Sequence, residues 1–264
     1  TSQAVTQLKD SKPAHAALLG FCKTLVLELP EYQTIVIDTD ECDTTAKAAL
    51  LCNEIRYNHG LKYEHVVAYR GNKRLVSRLK RAVLKEHKPS LYGNGRYLIT
   101  GGTGGLGLIS AQALLSAGAK EVILVARNLA KEEFKKNIQQ IESYYPGRII
   151  RTLSLDITDK NKLAALLDEL NTDGLLKGII HAAGAAIKAP LIEQQEEDID
   201  YLFAAKVKGA WNLHELSQGY GLDFFIVYSS ISAVFGSNKE SVYSGANSSL
   251  DSLIAERHRL GLVG

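Results

Sequence analysis

The chain has 264 residues, of which 45% are hydrophobic and 23% are charged. This composition indicates a globular protein with room for one large domain or two small ones, and it excludes a disordered or fibrous chain. Lys and Arg number 31 against 29 Asp and Glu, and a net charge of +2 gives no field that would attract nucleic acid or a membrane surface. No apolar run approaches the ~20 residues that cross a bilayer, and the polar start is unlike a signal peptide, so we expect a cytoplasmic protein.

The three cysteines are an odd number and form no CxxC pair, and the flanks of Cys22 and Cys52 are apolar and helix-like. We therefore interpret them as small hydrophobic residues and predict neither a disulfide nor a metal site. Methionine is absent even at position 1, and we expect the chain to be a piece of a longer polypeptide.

The first block, residues 1–92, contains two helix-like stretches that each lead into a β-rich run. These segments are Ala16–Leu29, which Pro30 ends, then Thr34–Asp38, Thr45–Tyr57 and Val66–Tyr69. No cluster of titratable residues stands out in this block. The basic stretch Leu75–Lys88, which Pro89 ends, is interpreted as a solvated face in preference to a partner surface.

The second block, residues 93–264, alternates short apolar strands with helix-like segments. The predicted strands are Tyr97–Ile99, Val122–Ala126, Ile149–Leu153, Gly178–Ala182 and Phe224–Tyr228, and the first helix runs from about Leu108 to Ala117 before Gly118. Near-continuous apolar strands of this kind predict an α/β fold with a doubly wound parallel sheet, covered on both faces. Such a sheet binds its ligands at the carboxyl ends of its strands.

A glycine-rich loop follows the first of these strands. It reads Thr100, Gly101, Gly102, Thr103, Gly104, Gly105, Leu106, Gly107, which fits both GxGxxG and TGxxxGxG. Between a strand and a helix, glycines let backbone N–H groups and the helix N-terminus approach a pyrophosphate. We therefore predict that this loop binds a dinucleotide, in preference to a tight turn needed only for packing.

Arg127 ends the second strand, where an NAD site would carry an acidic residue for the ribose 2′-hydroxyl. An arginine there favours a 2′-phosphate, so we predict NADPH as the cofactor. Asp156 ends the third strand, and it either accepts from the adenine amine or caps the following turn. The small residues Ala182, Ala183 and Gly184 end the fourth strand and leave room for the ribose and nicotinamide, whereas His181 is interpreted as a packed strand residue.

A constellation for carbonyl reduction follows the fourth and fifth strands. The fifth strand ends at Ser229-Ser230, and the next helix carries Tyr243 and Asn247 four residues apart, on one face. Reduction needs a proton for the developing alkoxide and a donor that holds the oxygen. A tyrosine of pKa ≈ 10 is a poor acid at pH 7 unless a nearby cation favours its phenolate. Lys206, on the preceding helix, is the candidate for that cation.

These residues resemble the short-chain dehydrogenase/reductase superfamily, and more closely the ketoreductase domains of modular polyketide synthases and of related hybrid peptide synthetases. The usual superfamily signature is YxxxK. Here Asn247 follows Tyr243 at four residues and the lysine lies earlier, in Ala205-Lys206-Val207-Lys208-Gly209, which is the exchanged order of these ketoreductases. The N-terminal stretches Ala16–Asp38 and Glu64–Arg81 also resemble the family's structural subdomain, a truncated Rossmann-like half without a cofactor.

The resemblance implies that Tyr243 is the proton donor and that Ser230 donates a hydrogen bond to the substrate carbonyl. Lys206 would bind the nicotinamide ribose and stabilise the phenolate, and Asn247 would order a water of a proton relay. Lys208 lies two residues from Lys206 and points about 200° away on a helix, so only one of the two lysines faces the site, and the motif selects Lys206.

The resemblance also implies a substrate: a β-ketoacyl chain held as a thioester on the phosphopantetheine arm of an acyl carrier protein, within a multidomain synthase of polyketide (antibiotic) biosynthesis. A Leu-Asp-Asp motif marks one hydroxyl configuration in the family, and Ala186-Ile187-Lys188 stands there. A tryptophan eight residues before the tyrosine often marks the other, and Phe235 stands there. Lacking the aspartate, the chain is expected to give the L-hydroxyl product. The family continues beyond the Tyr243 helix into a strand and a lid, which we expect this piece to lack.

Two other functions remain open. As alternatives to the ketoreductase, the chain could be a stand-alone short-chain reductase of a free carbonyl compound, or a structural or NADPH-sensing module without catalysis. The N-terminal block and the YxxxN order argue against the first alternative, and the intact set of Lys206, Ser230, Tyr243 and Asn247 argues against the second.

Overall fold

The structure is a computed structural model that describes residues 15–58, 63–71, 73–83 and 95–264. Residues 84–88 of the basic stretch, Pro89 and the predicted boundary near residue 92 lie outside these ranges. The strands are β1 (Val36–Thr39), β2 (Val66–Arg70), β3 (Lys73–Val76), β4 (Arg96–Thr100), β5 (Glu121–Ala126), β6 (Ile149–Ser154), β7 (Leu176–His181) and β8 (Phe224–Val227). The helices are α1 (Ala16–Glu28), α2 (Thr44–Tyr57), α3 (Gly105–Ser116), α4 (Glu132–Tyr144), α5 (Lys160–Asn171), α6 (Glu196–Phe203), α7 (Gly209–Leu216), α8 (Ser232–Phe235) and α9 (Ser241–Arg259). A short 3₁₀ turn spans Leu191–Glu193, and a π-helical turn spans Ala204–Lys208.

Strands β4 to β8 form a parallel sheet in the order β6-β5-β4-β7-β8. The chain builds outward from β4 through β5 to β6 and then returns to β7 and β8 on the other side of β4. The predicted doubly wound α/β fold is therefore confirmed. The reversal of strand order places a switch point between β4 and β7, where the carboxyl ends of the strands leave a crevice for a ligand.

The centre of this sheet is fully apolar, which is why its strands read as continuous hydrophobic runs. On one face, alternate residues of the central strands pack against α3 and α4. This cluster includes Tyr97, Ile99, Val122, Leu124, Ile180, Leu114, Leu115, Phe134, Ile138 and Ile141. Leu98 and Ile123 have the opposite parity and are also fully buried, so they project to the other face. Burial of each such side chain stabilises the fold by about 1.5–3 kcal/mol.

A second sheet lies in the N-terminal block. Strand β1 pairs in parallel with β2, and β2 pairs antiparallel with β3. The sequence did not predict β3, because its residues Lys73 and Arg74 are charged and hide the two-residue alternation of a strand. Arg74 donates two hydrogen bonds to the buried carboxylate of Glu54, at 2.8 and 2.7 Å, and thereby ties β3 to α2.

The contacts divide the described residues into two compact units. The first, here called the α1–α9 unit, draws its residues from Thr1–Lys85, Ile187–Gln195 and Ser230–Arg259, and the second, the five-stranded unit, from Glu86–Ala186, Glu196–Ser229 and Leu260–Gly264. Residues 230–259 thus pack with the N-terminal block. The division into a structural subdomain (residues 1–92) and a cofactor-binding catalytic subdomain (residues 93–264) remains a prediction.

Small residues explain why α1 and α9 pack so closely. A Cβ atom added to Gly20 of α1 would overlap the carbonyl oxygen of Ser244, and one added to Gly245 of α9 would lie 2.9 Å from the carbonyl oxygen of Ala17. The hydroxyl of Thr24 donates to the hydroxyl of Ser244 at 3.1 Å. The two helices therefore meet backbone to backbone, and a larger side chain at either glycine would separate them.

Two helix boundaries differ from the prediction. Helix α3 begins at Gly105 rather than near Leu108, because Gly104 has the extended conformation of an N-cap (φ −84°, ψ 161°). The predicted helix that carries Lys206 is interrupted by the π-helical turn. None of the helices in the described ranges is long and apolar enough to cross a membrane.

Candidate active site

The glycine loop joins β4 to α3, and several of its glycines are required by the backbone. Gly101 has φ +70°, and a Cβ atom there would lie 2.6 Å from the backbone of Ala182 and Ala183. A Cβ atom at Gly102 would lie 2.6 Å from the Cβ atom of Leu124. The loop therefore follows the ends of β5 and β7 too closely for side chains. A Cβ atom at Gly105 would meet nothing within 4 Å, so the first turn of α3 is open to an anion.

A cavity of ≈ 220 Å³ lies at the carboxyl ends of β4, β5, β6 and β7, wholly within the five-stranded unit. The structure brings together in its wall six residues that the sequence predicts for cofactor binding: Gly101, Thr103, Arg127, Asp156, Ala183 and Gly184. Further lining residues, which the sequence did not single out, are Val125, Ala126, Asn128, Lys131, Leu155, Ile157, Ala185, Tyr201 and Ala205. The cavity is therefore lined largely by glycine, alanine and aliphatic residues, together with two cationic side chains and one carboxylate.

Arg127 and Asp156 are held in place by different contacts. The guanidinium carbon of Arg127 lies 5.8 Å from the centre of the Tyr201 ring, in range of a cation–π contact. An oxygen of Asp156 accepts from the N–H of Thr158 at 2.9 Å, so Asp156 caps the turn after β6. This bond, with help from the charge of Arg127, holds the pKa of the Asp156 carboxyl below its usual value. The predicted contact with adenine stays a prediction.

Six of the eight residues of the glycine loop do not line the cavity, and neither do Lys206 and Tyr243, which are also predicted for cofactor binding; the six are Thr100, Gly102, Gly104, Gly105, Leu106 and Gly107. Gly102 and Gly107 are buried and shape the loop, whereas Leu106 is about half exposed (52%) on the first turn of α3. Ala182 also lies outside the lining, and its N–H donates to the carbonyl of Thr100. The side chain of Thr100 is fully buried. It turns away from the cavity and reaches His181.

His181 is a packed strand residue, as predicted. It is 1% exposed, its Nδ1 atom lies 2.8 Å from the hydroxyl of Thr100, and its Nε2 atom lies 2.9 Å from the carbonyl oxygen of Lys206. Burial lowers the pKa of His181 to about 4, so the ring is neutral at pH 7. A carbonyl only accepts, so the proton resides on Nε2, and Nδ1 accepts from the Thr100 hydroxyl.

Lys206 lies in the π-helical turn, whose widened ladder is marked by a hydrogen bond from the N–H of Gly209 to the carbonyl of Ala204. Its side chain is buried (6% exposed), and its ammonium donates to the carbonyl of Tyr228 at 2.9 Å. A Cβ atom at Gly184 would lie 3.5 Å from that ammonium. Lys208 is exposed. The structure therefore distinguishes the two lysines and brings Lys206 to the ends of β7 and β8.

Ser230, Tyr243 and Asn247 belong to the α1–α9 unit. Tyr243 is half-buried in the first turn of α9, and Asn247 follows one turn later, fully buried, with its amide donating to the carbonyl of Tyr243 at 2.8 Å. The hydroxyl of Ser230 accepts from the N–H of Ser232 at 3.2 Å, at the start of α8. The structure thus places Tyr243 and Asn247 on adjacent turns of one buried helix.

Comparison with models of protein families shows to which family this chain belongs. The model of the KR domain matches residues 95–264. The chain belongs to the ketoreductase (KR) domain family of modular polyketide synthases. KR domains of this kind are nicotinamide-dependent oxidoreductases. The matched range begins just before β4 and includes the glycine loop, Arg127, Lys206 and Tyr243.

The related proteins are much longer than this chain. It is 32% identical over 262 residues to polyketide synthase PksN of Bacillus subtilis, a match that covers 98% of this chain but only 5% of that protein. It is 32% identical over 251 residues to the pikromycin polyketide synthase component PikAIII of Streptomyces venezuelae, over 94% of this chain and 16% of the relative. The chain therefore corresponds to a small part of each synthase.

Solved structures of ketoreductase domains are also similar to this chain. A ketoreductase domain from the bacillaene assembly line superposes with a TM-score of 0.87 at 27% identity, over 96% of this chain and 60% of that one. An A-type ketoreductase from a modular polyketide synthase superposes with a TM-score of 0.83 at 34% identity, over 96% of this chain and 53% of that one. Both cover the N-terminal block as well as the KR domain range.

Proposed function

We propose that this KR domain uses NADPH to reduce the β-keto group of an acyl thioester, presented on the phosphopantetheine arm of an acyl carrier protein, to a β-hydroxyacyl thioester. The observation that carries the proposal is that Arg127 lines the same cavity as Gly101 and Thr103 of the glycine loop. A guanidinium matches a phosphate in both charge and geometry. The small residues beside it leave the backbone accessible, which fits a dinucleotide with a 2′-phosphate.

The residues present fit this cofactor. The open first turn of α3 offers backbone N–H groups to a pyrophosphate. Arg127 would bind the 2′-phosphate, Asp156 would accept from the adenine, and Ala183 and Gly184 would leave room for the ribose and nicotinamide. When bound, NADPH supplies a hydride, and the protein's own residues must supply the proton and hold the substrate oxygen.

Four residues of this chain would perform the remaining work. Ser230 would donate a hydrogen bond to the substrate carbonyl, and Tyr243 would donate the proton to the oxygen as negative charge develops on it. Lys206 would bind the ribose and stabilise the phenolate left on Tyr243. Asn247 would hold a water that returns a proton to the phenolate. The burial of Lys206 supports its role, because a buried ammonium acts through a low dielectric.

The substrate and its carrier are proposed from the relatives, which are multidomain polyketide synthases. The partners would be an acyl carrier protein with its phosphopantetheine thioester and the neighbouring domains of such a synthase, or of a hybrid polyketide and peptide synthetase. The absence of the aspartate motif at Ala186-Ile187-Lys188 favours the L-hydroxyl product.

The test is NADPH oxidation with pantetheine-linked β-ketothioesters, compared with free ketones and aldehydes, with chiral analysis of the product. Tyr243→Phe and Lys206→Ala should each lower kcat by about two orders of magnitude or more. The matched control is Lys208→Ala, two residues from Lys206 and exposed, which should leave kcat unchanged. Equal activity on free ketones would indicate a stand-alone reductase. NADPH binding without turnover, equal in the parent and in Tyr243→Phe, would indicate a non-catalytic module.

A further inference from the structure

Helix α1 has only three polar side chains besides its cysteine, namely Lys23, Thr24 and Glu28. All three bind α8 or the segment that joins α8 to α9. The ammonium of Lys23 donates to the carbonyl of Ala233 at 2.6 Å, and the hydroxyl of Thr24 accepts from the N–H of Ser237 at 3.2 Å. Since Thr24 and Glu28 are four residues apart, they lie on one face of the helix, and that face follows the segment 236–240.

Glu28 contacts two separate segments of the chain. One carboxylate oxygen accepts from the N–H of Lys239 at 2.6 Å, and the other accepts from the N–H of Leu191 at 2.6 Å. The N–H of Ala189 in turn donates to the carbonyl of Lys239 at 3.0 Å. One carboxylate therefore joins two loop segments that are far apart in sequence, through charge-assisted hydrogen bonds to their backbones.

Lys239 has φ +64°, and it is the only non-glycine residue in the described ranges with a positive φ. A positive φ is an unfavourable backbone conformation for a lysine. Contacts with neighbouring residues must therefore hold Lys239 in it. Gly236, at the other end of the segment, also has a positive φ, and a Cβ atom there would lie 2.6 Å from the carbonyl oxygen of Lys23. Helix α1 thus fixes the segment at both ends.

This segment leads directly into α9. The N–H of Ser244 donates to the carbonyl of Glu240 at 2.8 Å, and the third residue of α9 is Tyr243. Because a helix is stiff, the path of residues 236–240 determines where the first turn of α9 begins. We propose that Glu28 is a positioning residue for Tyr243, acting through the backbone amides of Lys239 and Leu191. The inference rests on the proposed function, which gives Tyr243 its role as proton donor.

The variant that tests the inference is Glu28→Gln, which keeps the shape but places an NH₂ group against one of the two amides. We expect kcat to fall about tenfold while the Kd for NADPH stays within about twofold of the parent value. The Kd for NADPH should stay unchanged because the residues that line the cavity all belong to the five-stranded unit, whereas Glu28 belongs to the α1–α9 unit. The matched control is Glu31→Gln, an exposed residue three positions on, for which both constants should be unchanged.

A second substitution separates positioning from general damage. Glycine adopts a positive φ without strain, so Lys239→Gly in the Glu28→Gln background should recover part of the lost kcat. Hydrogen exchange at the amides of Lys239 and Leu191 should be about tenfold faster in Glu28→Gln, with exchange in β4 and β5 unchanged.

Three results would overturn the inference: an unchanged kcat in Glu28→Gln, an equal weakening of NADPH binding, or unchanged exchange at Lys239. A parent protein that reduces no thioester would refute the proposed function separately. In that case exchange at Lys239 would still decide whether Glu28 holds the loop.

Discussion

The Nε2 atom of His181 donates to the main-chain carbonyl of Lys206 across 2.9 Å, in the middle of the π-helical turn. The other ring nitrogen accepts from Thr100, which is the last residue of β4 and the first of the glycine loop. A single neutral imidazole therefore joins the end of β4, the end of β7 and the turn that carries Lys206. A π-helical turn contains one residue more than an α-helical turn, so the turn helps to decide which lysine of the Lys206/Lys208 pair is buried.

This relationship predicts the effects of two substitutions at His181. The variant His181→Phe keeps a flat ring but removes both hydrogen bonds, and we expect kcat to fall about tenfold because Lys206 loses its fixed position. The variant His181→Gln retains one donor and one acceptor and should keep more activity. Steady-state kinetics with a saturating thioester would measure both. Equal losses in the two variants would show that the hydrogen bonds do not position Lys206.

The burial of His181 also predicts how stability depends on pH. Its folded pKa of about 4 lies below the ordinary value of 6.5, so between these values the unfolded chain binds a proton that the folded protein does not. The unfolding free energy should therefore decrease as the pH falls through this window, by on the order of 3 kcal/mol in total. Denaturant unfolding across the window would measure it. In His181→Gln the decrease should be smaller by this contribution, and an unaltered slope would contradict the assignment.

Arg127 predicts the cofactor preference. Replacement by alanine should lower the ratio of kcat/KM for NADPH to that for NADH by about 10- to 100-fold, because the guanidinium that is proposed to bind the 2′-phosphate would be removed. The control is Lys136→Ala, an exposed cation on α4 that does not line the cavity. A ratio that Arg127→Ala leaves unchanged would remove the argument for NADPH.

Glu54 predicts a stability effect in the N-terminal sheet. Its carboxylate is fully buried and binds Arg74 through both oxygens, and chiefly these bonds hold the pKa of Glu54 below its usual value. Glu54→Gln should lower the unfolding free energy by about 2–3 kcal/mol, because Arg74 loses its ionic partner. Glu64→Gln is the comparison, because Glu64 pairs with the exposed Arg78, and an exposed ion pair contributes little to stability. Similar midpoints in urea for both variants would refute the prediction.

The sequence predicted the five parallel strands and the glycine loop because their signals are local. Continuous apolar runs mark buried strands, and the glycines stand where the chain turns from β4 into α3. Helical periodicity predicted that only one of Lys206 and Lys208 faces the site, and the family motif selected Lys206. The structure buries Lys206 and exposes Lys208. The predictions of the strands and of the glycine loop required only neighbouring residues.

Other features depend on contacts between distant parts of the chain, and no local pattern reports them. Tyr201 lines the cavity because α6 returns over the strand ends, which its own sequence does not reveal. Glu28 and Lys239 are 211 residues apart. The need for a glycine at positions 20 and 245 becomes evident only when α1 is seen packed against α9. The pairing of α1 with α9 was therefore not predicted.

The close packing of α1 on α9 has a practical consequence for anyone who grafts this KR domain into another protein. A fragment that starts at residue 93 would contain the range that matches the KR domain but would lack α1. The face of α9 that α1 covers, including Gly245, would then be exposed to water. The graft junction therefore belongs upstream of His15, so that the helix and its backing travel together.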